Sequence, residues 1–168
     1  MTYHIEPLTP AHDRRSFDCG EPELNTFLEK LARQNQDLNI GRTFVVVPDD
    51  GTPRVVGFYT LAAGSVAFKT VPEDLRKRFP KYPIPVVHLG RLGVCGSVQG
   101  QRLGEALLFN ALSRVVAMAD NLGVAAVEVI AKTGLAKSFY EKYGFRALLD
   151  DPLHLYLPIR TAAQLTSE

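Results

Sequence analysis

The sequence predicts an α/β fold: one domain carrying a mixed, mainly antiparallel sheet flanked by helices. Three observations point there. Runs of β-branched and aromatic residues of strand length are set apart by Gly- and Pro-bearing turns, other stretches carry apolar residues at three- and four-residue spacing, and the two kinds interleave along the chain. At 168 residues with 46% apolar content, the chain is long enough to close one core and short for two. Residues 1–168 are therefore read as a single domain.

Taken in order, Tyr3-His4-Ile5-Glu6-Pro7-Leu8 alternates as a first edge strand. Behind Gly20-Glu21-Pro22, Leu24, Phe27, Leu28 and Leu31 recur at helical spacing, predicting an amphipathic helix from Glu21 to Arg33. Thr43 to Val47 and Val55 to Leu61 are joined by Pro48-Asp49-Asp50-Gly51-Thr52-Pro53, the composition of a hairpin. The polar segment from Pro72 to Lys81 holds a short helix at Glu73 to Arg78, and Val86 to Val94 is a further strand. From Arg102 to Leu122 the residues Leu107, Leu108, Ala111, Leu112, Val115, Ala119 and Leu122 share one helical face, with Gly123 placed to end the helix in a left-handed conformation. Val124 to Ile130 reads as a buried strand, Leu135 to Tyr143 as a short helix stopped by Gly144, and Leu153 to Leu157 as a last strand.

Composition removes several classes of function. The 19 basic and 18 acidic residues leave a formal charge of +1, so no global positive field draws the molecule to nucleic acid and any basic contact surface is local. Cys19 and Cys95 lack zinc spacing, and no His, Cys and carboxylate set has the spacing of metal ligands, so no metal is expected. There is no basic-then-apolar leader, and the longest apolar runs, Val55 to Phe68 and Leu103 to Ala119, are broken too early to span a bilayer. A cytoplasmic protein without a membrane segment is the expectation.

Gln99-Gly100-Gln101-Arg102-Leu103-Gly104 lies between a strand and the clearest helix. A turn so placed aims backbone N–H groups outward at the positive end of a helix dipole, where a phosphate binds. Alone, the pattern favours a packing device over an anion site. A nucleoside-triphosphate loop needs Lys and then Ser or Thr where Glu105-Ala106 follow Gly104, and the dinucleotide pattern G-x-G-x-x-G is missing. The turn does resemble the pyrophosphate signature of the GNAT superfamily of N-acetyltransferases, Gln/Arg-x-x-Gly-x-Gly/Ala, at its first and last positions, with Arg102 at the central glycine. Arg is tolerated there if only the backbone N–H is needed, and its side chain is able to pair with phosphate. Phe139-Tyr140-Glu141-Lys142-Tyr143-Gly144-Phe145 is similar to the family's late Phe-Tyr-x-x-x-Gly-Phe signature, although in isolation its rings read as a cluster packing a short helix.

The resemblance implies a GNAT-like domain with acetyl-CoA as cosubstrate. Its pyrophosphate would sit on Gln99, Gly100, Gln101, Arg102, Leu103 and Gly104, and its pantetheine arm against the backbone of Leu92, Gly93 and Val94. Phe139 would line the site, and Tyr140 would stand near the thioester sulfur as the catalytic residue. The likeness narrows to the acetyltransferase toxins of bacterial toxin–antitoxin pairs on Phe17-Asp18-Cys19-Gly20, Leu24-Asn25-Thr26-Phe27-Leu28, Arg42-Thr43-Phe44-Val45, Gly57-Phe58-Tyr59-Thr60-Leu61, Tyr82-Pro83-Ile84-Pro85 and Leu89-Gly90-Arg91-Leu92-Gly93-Val94. It implies aminoacyl-tRNA as acceptor, a block of translation, a ribbon-helix-helix antitoxin as partner and a homodimer. Cys95-Gly96-Ser97 departs from the Val-Asp usual after Arg-Leu-Ala in those toxins.

Acid–base chemistry agrees with such an acceptor. An α-amine of pKa about 7.7 to 8.0 is roughly 10 to 20% neutral at pH 7, whereas a lysine amine near 10.4 is neutral in about one molecule in 2,500. It asks less of a base, and no Glu or His stands at a position the resemblance marks as one. A phenol of pKa about 10 is a weaker acid than a thiol of about 8.5, so Tyr140 is a donor to the developing thiolate that gives up its proton late. Arg76, Lys77, Arg78 and Lys81 form the densest basic cluster, joined by Arg14-Arg15, Arg42 and Arg91 as a candidate tRNA phosphate track; a solvated charged face explains them equally. His88 is read as packed or hydrogen-bonded rather than catalytic. An acetyltransferase of a small-molecule or protein amine, and a non-catalytic CoA-binding protein, are the competing functions.

Overall fold

The computed structural model describes residues 2–167. Seven strands form one sheet in the order β1-β2-β3-β4-β5-β7-β6: β1 Tyr3–Pro7, β2 Arg42–Pro48, β3 Gly57–Val66, β4 Ile84–Val94, β5 Ala126–Ile130, β6 Arg146–Ala147 and β7 His154–Pro158. β1, β2 and β3 are antiparallel neighbours, β4 and β5 are parallel, and β7 runs antiparallel to β5 and β6. The mixed, mainly antiparallel sheet read from the sequence is the sheet found. The helices are α1 (Pro22–Thr26) and α2 (Ala32–Asp37) around a π-turn at Phe27–Leu31, α3 (Glu73–Arg76), α4 (Leu103–Met118), α5 (Gly134–Lys142) and α6 (Ile159–Thr166). The chain divides into two compact units, Met1–Ala62 with Gly90–Ala111, and Ala63–Leu89 with Leu112–Glu168.

In the first unit the hairpin is held by cross-strand pairs. Phe44 lies opposite Tyr59 with their rings stacked 5.1 Å apart, and Val45 lies opposite Phe58. The second strand begins at Gly57 rather than Val55, because the Val55 N–H donates to Asp13 O instead of to β2. Phe58 is fully buried, with Phe17 edge-on at 5.3 Å and Phe27 stacked at 6.2 Å. Gly57 leaves little room for a side chain: a Cβ there would stand 3.2 Å from Leu107 and 3.3 Å from Val46, so those side chains would have to give by a few tenths of an ångström.

The first helical segment runs on to Asp37 instead of ending at Arg33, and opens into a π-turn in which the Ala32 N–H reaches Phe27 O. That surplus residue turns Leu31 off the expected apolar face, leaving it 42% exposed. The π-turn draws carbonyls out of the regular ladder. Arg14 Nη1 meets them, donating to Leu28 O at 2.9 Å and to Glu29 O at 3.0 Å.

In the second unit the β4–β5 ladder covers Val86↔Ala126, Val87↔Val127 and His88↔Glu128, and β4 continues beyond it to Val94. Val66, Val71, Ile84, Val86, Ala126, Leu148 and Tyr156 form this unit's core, with Phe68, Leu75 and Phe79 packed on it. α5 stops as expected at Gly144, whose φ of +101° an L side chain rarely adopts. The expectation for α4 fails at its end: the helix closes at Met118, whose carbonyl accepts the N–H groups of Asn121 and Leu122. Gly123 is not among the left-handed residues. β6 and α6 are elements that the sequence pattern does not predict.

Candidate active site

β4 delivers the chain to the glycine turn across a tightly packed strand end. A Cβ on Gly93 would meet Leu24 at 3.4 Å and Phe17 and Phe58 at 3.5 Å, so the backbone of Leu92, Gly93 and Val94 is seated against the aromatic core. Next, the Cys95 N–H donates to Val56 O at 2.8 Å and the Gly96 N–H to Asp18 O at 2.9 Å. Asp18 is itself anchored: its Oδ1 accepts the Gly20 N–H at 2.9 Å and Asn25 Nδ2–H at 3.0 Å, while Asn25 Oδ1 accepts the Cys19 N–H at 3.0 Å. The Gly20 amide and the Asn25 side chain hold the Asp18 carboxyl below its ordinary value. The Asp-Cys-Gly and Leu-Asn residues, which the sequence offers only as marks of likeness, thus brace the loop after β4.

Past a 3₁₀ turn at Gly96–Val98, Gln99 Nε2 donates to Val94 O at 3.3 Å. The backbone then goes left-handed twice, with φ of +90° at Gly100 and +60° at Arg102. Arg102, standing where the signature has glycine, adopts the conformation glycine serves, at a cost of about 1–2 kcal/mol for an L residue. α4 begins at the next residue, Leu103, with Gly104 in its first turn. N–H groups there have no intrahelical acceptor and lie at the positive end of the dipole, a backbone that fits a phosphate. Tyr3 OH donates to Gln101 Oε1 at 3.1 Å and steadies the outer side of the turn.

In the second unit Thr133 Oγ1 caps α5 by accepting the Ala136 N–H at 3.1 Å. Tyr140 is only 7% exposed, its ring 5.2 Å from Phe139 and 5.3 Å from Phe145. Burial lifts its phenol well above the ordinary value. Arg76 lies 5.8 Å over the Phe68 ring. Arg78, together with Leu75, Phe79, Val86 and Tyr156, lines an apolar cavity of about 60 Å³, and Lys77 and Lys81 are exposed. Arg42 and Arg91 belong to the first unit: Arg42 Nη2 donates to Asn39 Oδ1 at 3.2 Å, and the Arg91 guanidinium sits 3.7 Å over the Phe27 ring. Arg14 is committed to the π-turn carbonyls and leaves the candidate phosphate track.

The acetyltransferase (GNAT) domain family matches residues 18–154. The chain belongs to that family. The GNAT match opens at the Asp18 brace and contains both the Gln99–Gly104 turn and the Tyr140 segment. The tRNA-acetylating toxin of Mycobacterium tuberculosis is 40% identical over 161 residues, covering 96% of this chain and 95% of that protein. Among solved structures, AtaT complexed with acetyl-methionyl-tRNAfMet has a TM-score of 0.91 at 30% identity, over 98% of this chain and 99% of that one. A tyrosine-to-phenylalanine variant of the AtaT toxin, bound to the C-terminus of the antitoxin AtaR and acetyl-CoA, has a TM-score of 0.85 at 28% identity over 99% of each chain.

This GNAT domain holds a polar group that no sequence spacing reveals. Glu128 of β5 is 8% exposed. His88 Nδ1 lies 2.5 Å from its Oε1, His154 Nε2 2.5 Å from its Oε2, and His154 Nδ1 2.9 Å from Asp150 Oδ2. Burial pushes the Glu128 carboxyl up, but the bonds and charges of His88 and His154 outweigh it and hold it below its ordinary value. Burial likewise opposes the charge on His154, and Asp150 and Glu128 overcome it, raising that imidazole. Among the described residues no His, Cys, Asp and Glu group is arranged to hold a metal, and no helix is long and apolar enough to cross a membrane.

Proposed function

We propose that this acetyltransferase moves the acetyl group of acetyl-CoA to the α-amine of an amino acid carried on tRNA, and so acts as a toxin that blocks translation. The observation that carries the reading is likeness along nearly the whole chain to a protein solved with acetyl-methionyl-tRNAfMet, joined to 40% identity with a tRNA-acetylating toxin. In this reading the cosubstrate's pyrophosphate meets the N–H groups of the Gln99–Gly104 turn, and its pantetheine arm follows Leu92, Gly93 and Val94. Tyr140, with Phe139 packed on it, keeps its proton because its phenol is buried. Full transfer to a thiolate is uphill by about 2 kcal/mol even from an ordinary phenol and by more from a buried one, so Tyr140 acts as a hydrogen-bond donor to the sulfur as charge develops. Arg42, Arg76, Lys77, Arg78, Lys81 and Arg91 supply phosphate contacts. A ribbon-helix-helix antitoxin restrains the enzyme, which works as a cytoplasmic homodimer.

The test is acetyl transfer from labelled acetyl-CoA to a pool of charged tRNAs, with uncharged tRNA as control, beside growth of cells expressing the chain without a partner. Label on charged tRNA alone, together with growth arrest, is the expected result. Efficient acetylation of a free polyamine or antibiotic, with charged tRNA inert and growth normal, would overturn it.

A further inference from the structure

The geometry points to a second ligand site: the cavity beside α3 takes a small branched aliphatic monocarboxylate, its alkyl group among the apolar walls and its carboxylate between the Tyr156 hydroxyl and Arg78. The site lies wholly within the second unit. It goes beyond the acetyl transfer proposed above and does not depend on it.

Tyr156 is 5% exposed and lines the cavity, yet its buried hydroxyl has no hydrogen-bond partner among the described residues. Leaving such a group unpaired is costly, and native proteins pair nearly all of them. Burial also raises the phenol above its ordinary value, so it keeps its proton at neutral pH and is ready to donate.

The space itself, about 60 Å³, has room for roughly four or five water-sized spheres. Close-packed interiors hold few voids of that size. Val66, Val71, Ile84, Val86 and Leu148 are among its walls, and of the described lining residues only Tyr156 and Arg78 carry polar side chains. A water settles where it finds two to four polar partners, so these walls suit an alkyl group better. The cavity is also framed from outside. Asp74 of α3 accepts from Arg146 of β6 at 3.3 Å, and the Leu149 N–H donates to Thr70 O at 2.7 Å. The segment bearing Val71, Leu75 and Phe79 is thereby tied to β6 and the loop after it, which opposes its collapse onto the hydroxyl.

The charges select the headgroup. Arg78 is exposed, and its guanidinium makes no hydrogen bond or ion pair among the described residues. The other charges that act on Tyr156 are Arg146 and Asp74, and they offset each other in their ion pair. Arg78 is the cation left over. A carboxylate only accepts, and it has oxygens for both the phenol and the guanidinium. An amine would meet repulsion from Arg78, and a phosphate or dicarboxylate would bring a second charge that apolar walls leave unsolvated.

The test is a titration of the full chain with isovalerate, followed by calorimetry and by methyl shifts in ¹H–¹³C spectra. It is run without tRNA, which would compete for Arg78. We expect a Kd of about 1 mM, within reach of a ligand of about seven non-hydrogen atoms, and shifts at Val66, Val86 and Leu148. Acetate keeps the headgroup without the alkyl body, and 3-methylbutan-1-ol keeps the body without the charge; each should bind at least about tenfold more weakly. Tyr156→Phe deletes only an unpaired hydroxyl, so it should keep its Tm while binding isovalerate about tenfold or more weakly, the loss of one hydrogen bond to a charged group. No binding at about 50 mM, some fifty times the expected Kd, would overturn the inference. So would equal affinity for acetate or for the alcohol, undiminished binding by Tyr156→Phe, or shifts confined to methyls away from the cavity. Should Tyr156→Phe not fold, the three ligands compared on the wild-type chain decide alone.

Discussion

Replacing Arg102 with glycine isolates what the turn at Gln99–Gly104 asks of its central residue. Arg102 is exposed and has φ of +60°, a conformation costing an L residue about 1–2 kcal/mol that glycine escapes. Against this stands the greater freedom of glycine in the unfolded chain, worth about 0.5–1 kcal/mol. The midpoints leave Arg102→Gly more stable by roughly 0.75 kcal/mol, or about 1.5–3 °C in Tm for a chain of this length. Arg102→Val, β-branched at the same φ, should instead melt lower than wild type. If the turn binds phosphate through its backbone, acetyl-CoA affinity by calorimetry stays within about threefold in the glycine variant. Losing a guanidinium-to-phosphate bond worth about 1.5–3 kcal/mol would instead weaken affinity more than tenfold. A lower Tm for Arg102→Gly, or that loss of affinity, would refute the reasoning.

Tyr140→Phe should keep acetyl-CoA affinity and lower kcat by roughly 10²- to 10³-fold, the range for removing one donor to a developing charge; wild-type turnover would reduce Tyr140 to a packing residue. Because burial raises this phenol, its ionisation should cause no loss of activity up to pH 10, checked by a pH–rate profile of wild type. Reversing Arg76, Lys77 and Arg78 to Glu should raise KM for tRNA and flatten its salt dependence while leaving acetyl-CoA binding intact; an unchanged KM would make that cluster a solvated face. Arg14→Ala strips two carbonyls of their donor and should cost about 2 kcal/mol, lowering Tm by about 4–8 °C, which thermal unfolding reads directly.

The parts legible in the sequence are those decided by neighbours along the chain. The β2–β3 hairpin follows from β-branched runs about an Asp, Gly and Pro turn, α4 from its apolar stripe, and the end of α5 from Gly144. What escaped depends on distant partners. β6 is two residues long and is a strand only because Arg146 and Ala147 lie opposite Tyr156 and Leu155. Val55 leaves its strand because Asp13 takes its N–H, and the π-turn is supported by an arginine 14 residues upstream of Leu28. The site divides the same way. Its turn and its tyrosine segment lie in contiguous motifs, whereas His88 and His154 reach Glu128 from 40 and 26 residues away, through strand register that no local spacing encodes.

The π-turn at Phe27–Leu31 also acts as a phase adjuster for the helix that follows. One residue advances a helix by about 100°, so the surplus residue decides which side chains of α2 look toward the sheet. Gln36 is the one that results: its Nε2 donates to Leu8 O at 3.0 Å and its Oε1 accepts the Thr43 N–H at 3.1 Å. A single amide thereby clips the end of β1 to the start of β2, where Leu8 N–H already meets Thr43 O. Deleting one residue from the turn would leave a sound helix whose clip faces the wrong way, so the edge of the sheet depends on the number of residues in the turn rather than on their identity.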